Sequence, residues 1–167
     1  MKVKKIRPLS GFLLWLMLVT PAFAELTEID WLELMPASDL ALLESLPEIG
    51  HDGDEAVTLP DEIMTGRVVP EMSGVSGKIA GFIVPLKTTQ DMAILEFFLV
   101  PYYGACIHVP PPPPNQIIHV TYPSGFRIDA LYEPVWVSGT IEIQRVEHDI
   151  GTAAYVIQAD SIELYSN

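Results

Sequence analysis

Cysteine is almost missing from this chain: Cys106 is the only one. That excludes an internal disulfide, and there is no Cys-x-x-Cys pair for thioredoxin-like exchange. Positive charge is also scarce. Beyond residue 24 only Arg67, Lys78, Lys87, Arg127 and Arg145 carry it, while the whole chain holds 22 acidic residues. Such a surface repels phosphate backbones and anionic headgroups, so nucleic acid is not expected as a partner. There is no internal repeat, and no apolar run is long enough to span a bilayer comfortably.

The one sustained apolar run, Leu9 to Val19, sits behind Lys2, Lys4, Lys5 and Arg7 and ahead of Pro21-Ala22-Phe23-Ala24. A basic start, a short apolar core and a small-x-small ending are the marks of a cleaved secretory signal. The pattern predicts a signal peptide over residues 1–24 and a chain exported in soluble form from Glu25, to the periplasm, with no stable membrane insertion after cleavage. No cysteine follows the cut, which speaks against lipid attachment. Removing four positive charges takes the formal charge from −13 to −17. The 143 residues left when 24 are taken from 167 suit a single core. In an oxidising compartment a lone thiol must be buried, metal-bound, catalytic or paired with another chain.

Residues 25–65 read as an N-terminal helical and loop segment. Apolar residues recur at helical spacing from Ile29 to Ile49, with Ser38 or Asp39 as a cap and Pro47 as a stop. His51 to Glu55 is an acidic turn without the oxygen-ligand pattern of a calcium loop. From Gly66 onward the pattern is β. Strands are expected at Lys78–Leu86, Glu96–Tyr103, Gln116–Tyr122, Pro134–Val146 and Ala154–Tyr165. In the fourth, Val135, Val137 and Gly139 share one face. In the fifth, Tyr155, Ile157 and Ala159 oppose Val156, Gln158 and Asp160. Thr88 to Leu95 is a polar connection in which Thr88 or Thr89 caps towards Asp91, and Gly81 marks a bulge or bend. Residues 66–167 are therefore expected to form a mainly β domain, a small antiparallel, partly open barrel of the oligonucleotide-binding type, with a short N-terminal helix before it.

The densest chemistry lies in Cys106-Ile107-His108-Val109, followed by Pro110 to Pro114 and Asn115-Gln116. In an extended segment Cys106 and His108 point to the same face, with α-carbons about 6.6–7 Å apart. A thiolate and an imidazole so placed can share a tetrahedral ion, at about 2.3 Å to sulfur and 2.0 Å to nitrogen. His119, on the next strand, is the best-placed third ligand. Water, Glu96, Asp129 or a partner residue are candidates for the fourth. The donor set suits Zn²⁺ or Cu⁺. The prolines form a stiff polyproline segment, fit to support such a site or to serve as a docking edge. The plain alternative is a cysteine packed as a small hydrophobe. A hydrolase with Cys106 as nucleophile and His108 or His119 as base lacks a strand-to-helix elbow, a helix N-terminus and oxyanion donors, so an enzyme is not expected. His51 and His148 read as surface histidines. Trp31, Trp136 and the tyrosines read as core or rim.

Gly81-Phe82-Ile83-Val84-Pro85-Leu86, Phe98-Leu99-Val100-Pro101-Tyr102-Tyr103-Gly104-Ala105-Cys106-Ile107-His108-Val109 with its prolines and Asn115-Gln116, and Pro134-Val135-Trp136-Val137-Ser138-Gly139-Thr140 together resemble a family of exported bacterial proteins catalogued as domain of unknown function 3299. The resemblance implies a periplasmic protein associated with transporters of the ABC type and with metal supply, and directs metal handling onto Cys106 and His108. The expectation is a soluble, zinc-binding accessory protein of an envelope transport system, partnered by a transporter component or another periplasmic protein. The alternative is a metal-free interaction module that docks such a transporter through its proline loop or acidic face.

Overall fold

The structure, a computed structural model, describes residues 26–46, 59–105 and 112–166. Five strands carry it: β1 (Val75–Thr88), β2 (Ile94–Val100), β3 (Ile118–Phe126), β4 (Val135–His148) and β5 (Gly151–Leu164). They close into a barrel in the order β1-β2-β3-β5-β4, with β4 returning to β1. The barrel of the oligonucleotide-binding type is thus present, with two differences from the sequence reading. The sheet is closed where a partly open one was expected, and β3 pairs with β5 in parallel.

Closure depends on β1. Residues 75–81 pair with β4, and residues 82–88 pair with β2. The handover falls at Gly81, where an added Cβ would lie 2.8 Å from both Leu99 Cγ and the Val100 carbonyl oxygen. The glycine lets one long strand curl against two neighbours. The bulge itself lies later, between Pro85 and Thr88.

Alternation sorts the side chains as expected on β4 and β5. Val135, Val137 and Ile141, with Tyr155, Ile157 and Ala159, face the interior beside Ile79, Ile83, Phe97, Leu99, Ile118 and Val120. Each large apolar side chain so buried contributes about 1.5–3 kcal/mol. On β2, Phe97, Phe98, Leu99 and Val100 are all inaccessible to solvent. The odd-numbered pair fills the barrel, while Phe98 and Val100 join a second cluster with Val84, Ala105, Ile117 and Ala153. This strand is therefore covered on both faces, which accounts for its unbroken apolar sequence.

The N-terminal segment is built differently from the expected single helix. Asp30 and Glu33 form a reciprocal capping box on a 3-10 turn at Trp31–Leu34, and Leu34 packs into the barrel core. Helix α1 (Ala37–Ser45) then starts from Pro36, with no side-chain cap from Ser38 or Asp39. Asp39 is fully buried and ion-paired with Arg67, whose side chain is half exposed. A second short helix, α2 (Asp61–Met64), has no counterpart in the sequence reading. The expected stop at Pro47 and the acidic turn from His51 to Glu55 lie outside the described residues.

Buried side-chain hydrogen bonds hold this segment and the stretch after it to the barrel. The Tyr155 hydroxyl, deep in the core, donates to the Leu34 carbonyl at 3.0 Å and accepts from the Val69 amide at 2.7 Å. Gln116 Nε2 donates to the Trp31 carbonyl at 2.9 Å, and Asn115 Nδ2 donates to that of Arg67 at 2.7 Å. Pro112 to Pro114 are buried. Pro114 lies so close to Gly66 that an added Cβ would sit 2.5 Å from its ring, and Gly66 has a φ of 65° that other residues resist. This end of the proline run is thus packing material against the N-terminal segment.

Two outcomes follow. Tyr155→Phe leaves a buried amide and carbonyl without their partner and will cost about 2 kcal/mol in urea unfolding. Burial also raises the Tyr155 phenol's pKa above its ordinary value of 10.0, against the lowering effect of the Val69 amide. The folded chain therefore keeps a proton that the unfolded chain releases, so stability is intact below pH 10 and falls as pH rises beyond it. That part of the alkaline loss will be missing in Tyr155→Phe. Separately, Arg67→Ala leaves the buried Asp39 carboxylate with only the Ser38 hydroxyl as donor and will destabilise by about 2 kcal/mol in urea unfolding, more than Asp39→Asn, which removes the charge.

Candidate functional site

Cys106 and His108 lie outside the described residues. His119 lies within them, at the third position read from the sequence. It stands on the outer side of β3, between the inward Ile118 and Val120, and pairs across to Phe98 of β2 and Val156 of β5. Alternation puts it there: β3 must bury Ile118 and Val120 in the barrel, so His119 faces the second cluster.

Phe98 is the centre of the local arrangement. Its ring meets the His119 imidazole edge-on at 6.1 Å and the His148 imidazole edge-on at 6.0 Å. Glu96, two residues before Phe98 and therefore on the same face, brings Oε2 to 3.9 Å from His119 Nε2. Its other oxygen accepts from Lys87 Nζ at 2.9 Å. Ala105, the residue before Cys106, is fully buried in the cluster that contains Phe98.

The electrostatics of His119 follow from this setting. Burial lowers its pKa below the usual imidazole value. The Glu96 carboxylate opposes that shift, and the nearby His148 adds to it. The ring is therefore neutral at pH 7, with a nitrogen lone pair available to a proton, a hydrogen bond or a cation.

Of the other ligand candidates, Glu96 is brought to His119. Asp129 is exposed in the loop before β4 and has no ion pair or hydrogen bond among the described residues. No group of three or more His, Cys, Asp or Glu side chains converges among those residues. His148 was read as an isolated surface histidine. It is exposed, yet the β4–β5 hairpin delivers it to Phe98. Sequence spacing carries no signal for that, since residues 119 and 148 meet only through barrel closure. Thr89, expected as a cap, does close the β1–β2 turn: its hydroxyl donates to Asp91 at 2.5 Å and accepts from the Ala93 amide at 3.0 Å.

The sequence profile described as "Protein of unknown function (DUF3299)" matches residues 31–164. The chain belongs to this family. A member from Pseudomonas aeruginosa PAO1, known from a crystal structure, is 32% identical to it. That likeness covers 86% of this chain and 99% of the other, with a TM-score of 0.66. No curated protein matches. The family span includes the whole stretch from Cys106 to His119 and every strand of the barrel.

Two substitutions will move the His119 pKa in opposite directions. By NMR titration of the metal-free protein, Glu96→Gln will lower the His119 pKa further, because the carboxylate favours the imidazolium. His148→Gln will raise it, because a like charge is removed. Equal shifts of the same sign would contradict the arrangement.

Proposed function

We propose that this protein is an exported, periplasmic accessory protein of an envelope transport system that binds a transition metal, zinc before copper(I), through Cys106, His108 and His119. The observation that carries the reading is His119. It is an imidazole only 15% exposed, its pKa lowered by burial, at the edge of a cluster that also buries Ala105, the immediate neighbour of Cys106. A zinc ligand must be deprotonated, and a desolvated imidazole meets that requirement without cost near neutral pH. Glu96 supplies a carboxylate oxygen within reach to complete the ligand set or to orient the His119 ring.

Further support comes from the charge. A formal −17 on the exported chain raises the local concentration of cations around the site. No helix among the described residues is long and apolar enough to cross a membrane. The zinc so held would be passed to, or received from, a transporter component.

Competition titration with a chromogenic zinc chelator tests the site. Relative to wild type, Cys106→Ser combined with His108→Ala will lose zinc affinity by at least a hundredfold, and His119→Ala by at least tenfold. Glu96→Gln will lose about tenfold, as expected for a supporting group. Unchanged affinity in the Cys106/His108 double variant would sink the reading. Unchanged affinity in His119→Ala alone would remove His119 from the ligand set. N-terminal sequencing of the protein from a periplasmic extract will read Glu25 first.

A further inference from the structure

On the far side of β1, away from His119, the N-terminal segment and β4 enclose an open pocket of about 350 Å³. Residues 27–29 run beside β1 in parallel: the Ile29 amide donates to the Lys78 carbonyl, and the Lys78 amide donates to the Thr27 carbonyl, each at 2.9 Å. This places Glu28, Asp30 and Glu33 on one rim. Aromatic rings form the walls. Trp31 is fixed by its indole N–H, which donates to the Ala80 carbonyl at 2.6 Å. Trp136 stacks on Tyr165 at 5.1 Å, with planes 27° apart. Ala80, opposite Trp136 in the β1–β4 register, leaves the floor open because its side chain is a single methyl.

Beside the pocket, two of its lining residues already hold a cation of the protein's own. Lys78 Nζ lies 4.5 Å from the centre of the Trp136 ring and 3.0 Å from Glu28 Oε1. That is the geometry by which an aromatic face and a carboxylate together hold an ammonium. Lys78 balances Glu28. Asp30 and Glu33 each commit one oxygen to the capping box, Asp30 to the Leu32 amide and Glu33 to the Asp30 amide. Neither has a cationic partner among the described residues, so the rim keeps two uncompensated negative charges beside fixed indole walls.

We propose that this pocket binds organic cations, with a guanidinium as its best-matched head group. A guanidinium stacks flat on an indole and presents parallel N–H donors to a carboxylate, whereas a metal ion keeps its hydration shell in water and gains little from aromatic walls. The head group has two possible sources: a small free molecule or an arginine side chain of another protein. This inference is independent of the zinc reading, because it shares no residue with Cys106, His108, His119 or Glu96.

The tryptophans report on it directly. The chain that begins at Glu25 has two tryptophans, Trp31 and Trp136, and both line the pocket. Titration of that chain with agmatine, and with N-butylguanidine, which lacks agmatine's second ammonium, will give a saturable change in tryptophan emission, and N-butylurea, the neutral analogue of N-butylguanidine, will give none. Asp30→Asn with Glu33→Gln keeps the cap hydrogen bonds while removing both charges, and will weaken agmatine binding at least tenfold. Ala80→Leu will fill the floor and weaken it to a similar degree. An equal response to N-butylurea, a response matched by sodium chloride at the same ionic strength, or affinity unchanged in both variants would overturn the proposal. A glycine-flanked single-arginine peptide that binds more tightly than agmatine assigns the pocket to a protein partner's side chain. The reverse order assigns it to a small molecule, and either order upholds a cation site.

Discussion

Everything in this molecule depends on one strand having two neighbours. β1 gives its first half to β4 and its second half to β2, and only because it does so can the sheet return on itself. The strand must bend sharply at the handover, where Leu99 and the Val100 carbonyl press against the backbone. A side chain at Gly81 would push the two strands apart and open the barrel at its seam. Closure in turn removes free sheet edges and brings β3 beside β5 in parallel.

The interior that closure creates is not filled by the barrel alone. Leu34, Met72 and Ile29 come from outside the strands and complete the core. Tyr155 shows how firmly these parts are bound together. Its ring fills apolar volume, and its hydroxyl satisfies two backbone groups that belong to two different non-strand segments. Such a hydroxyl couples the order of the N-terminal segment to that of the barrel, since losing either partner leaves a polar group buried and unpaired. The buried prolines 112 to 114 and the Asn115 and Gln116 amides extend the same coupling, tying the end of the conspicuous proline run to Arg67 and Trp31.

The outer surface of the barrel carries two chemically distinct regions. One gathers imidazoles and a carboxylate around the buried Phe98 ring, where desolvation keeps His119 neutral. The other gathers indoles and carboxylates around an open pocket, with an ammonium on the Trp136 ring beside it. Both exploit the same geometric fact: residues two apart on a strand, or opposite each other on neighbouring strands, share a face. Glu96 with Phe98 is the first case, and Ala80 with Trp136 is the second. The chain uses its outer face for polar and aromatic groups because the inner face is fully committed to packing.

Much of this was legible in the sequence, and the reason is local. Alternation at Val135-Val137-Gly139 and Tyr155-Ile157-Ala159 is a period-two signal written into neighbouring residues, so it identified strands and their inward faces without reference to the rest of the fold. The unbroken apolar run through Phe97 to Val100 likewise announced a buried strand, and the structure covers it on both faces. The scarcity of cysteine and of positive charge bounded the chemistry by composition alone. Tertiary structure decided whatever depends on register between distant segments. It turned Asp39 from a cap into the buried partner of Arg67, set Glu96 and His148 around His119, and assembled Trp31, Trp136 and Tyr165 into walls. These meetings join residues tens of positions apart, and no local period encodes them. They exist because the barrel closes with one particular register, and a shift of one residue would send the strand residues among them, Glu96, His119, Trp136 and His148, to the opposite face.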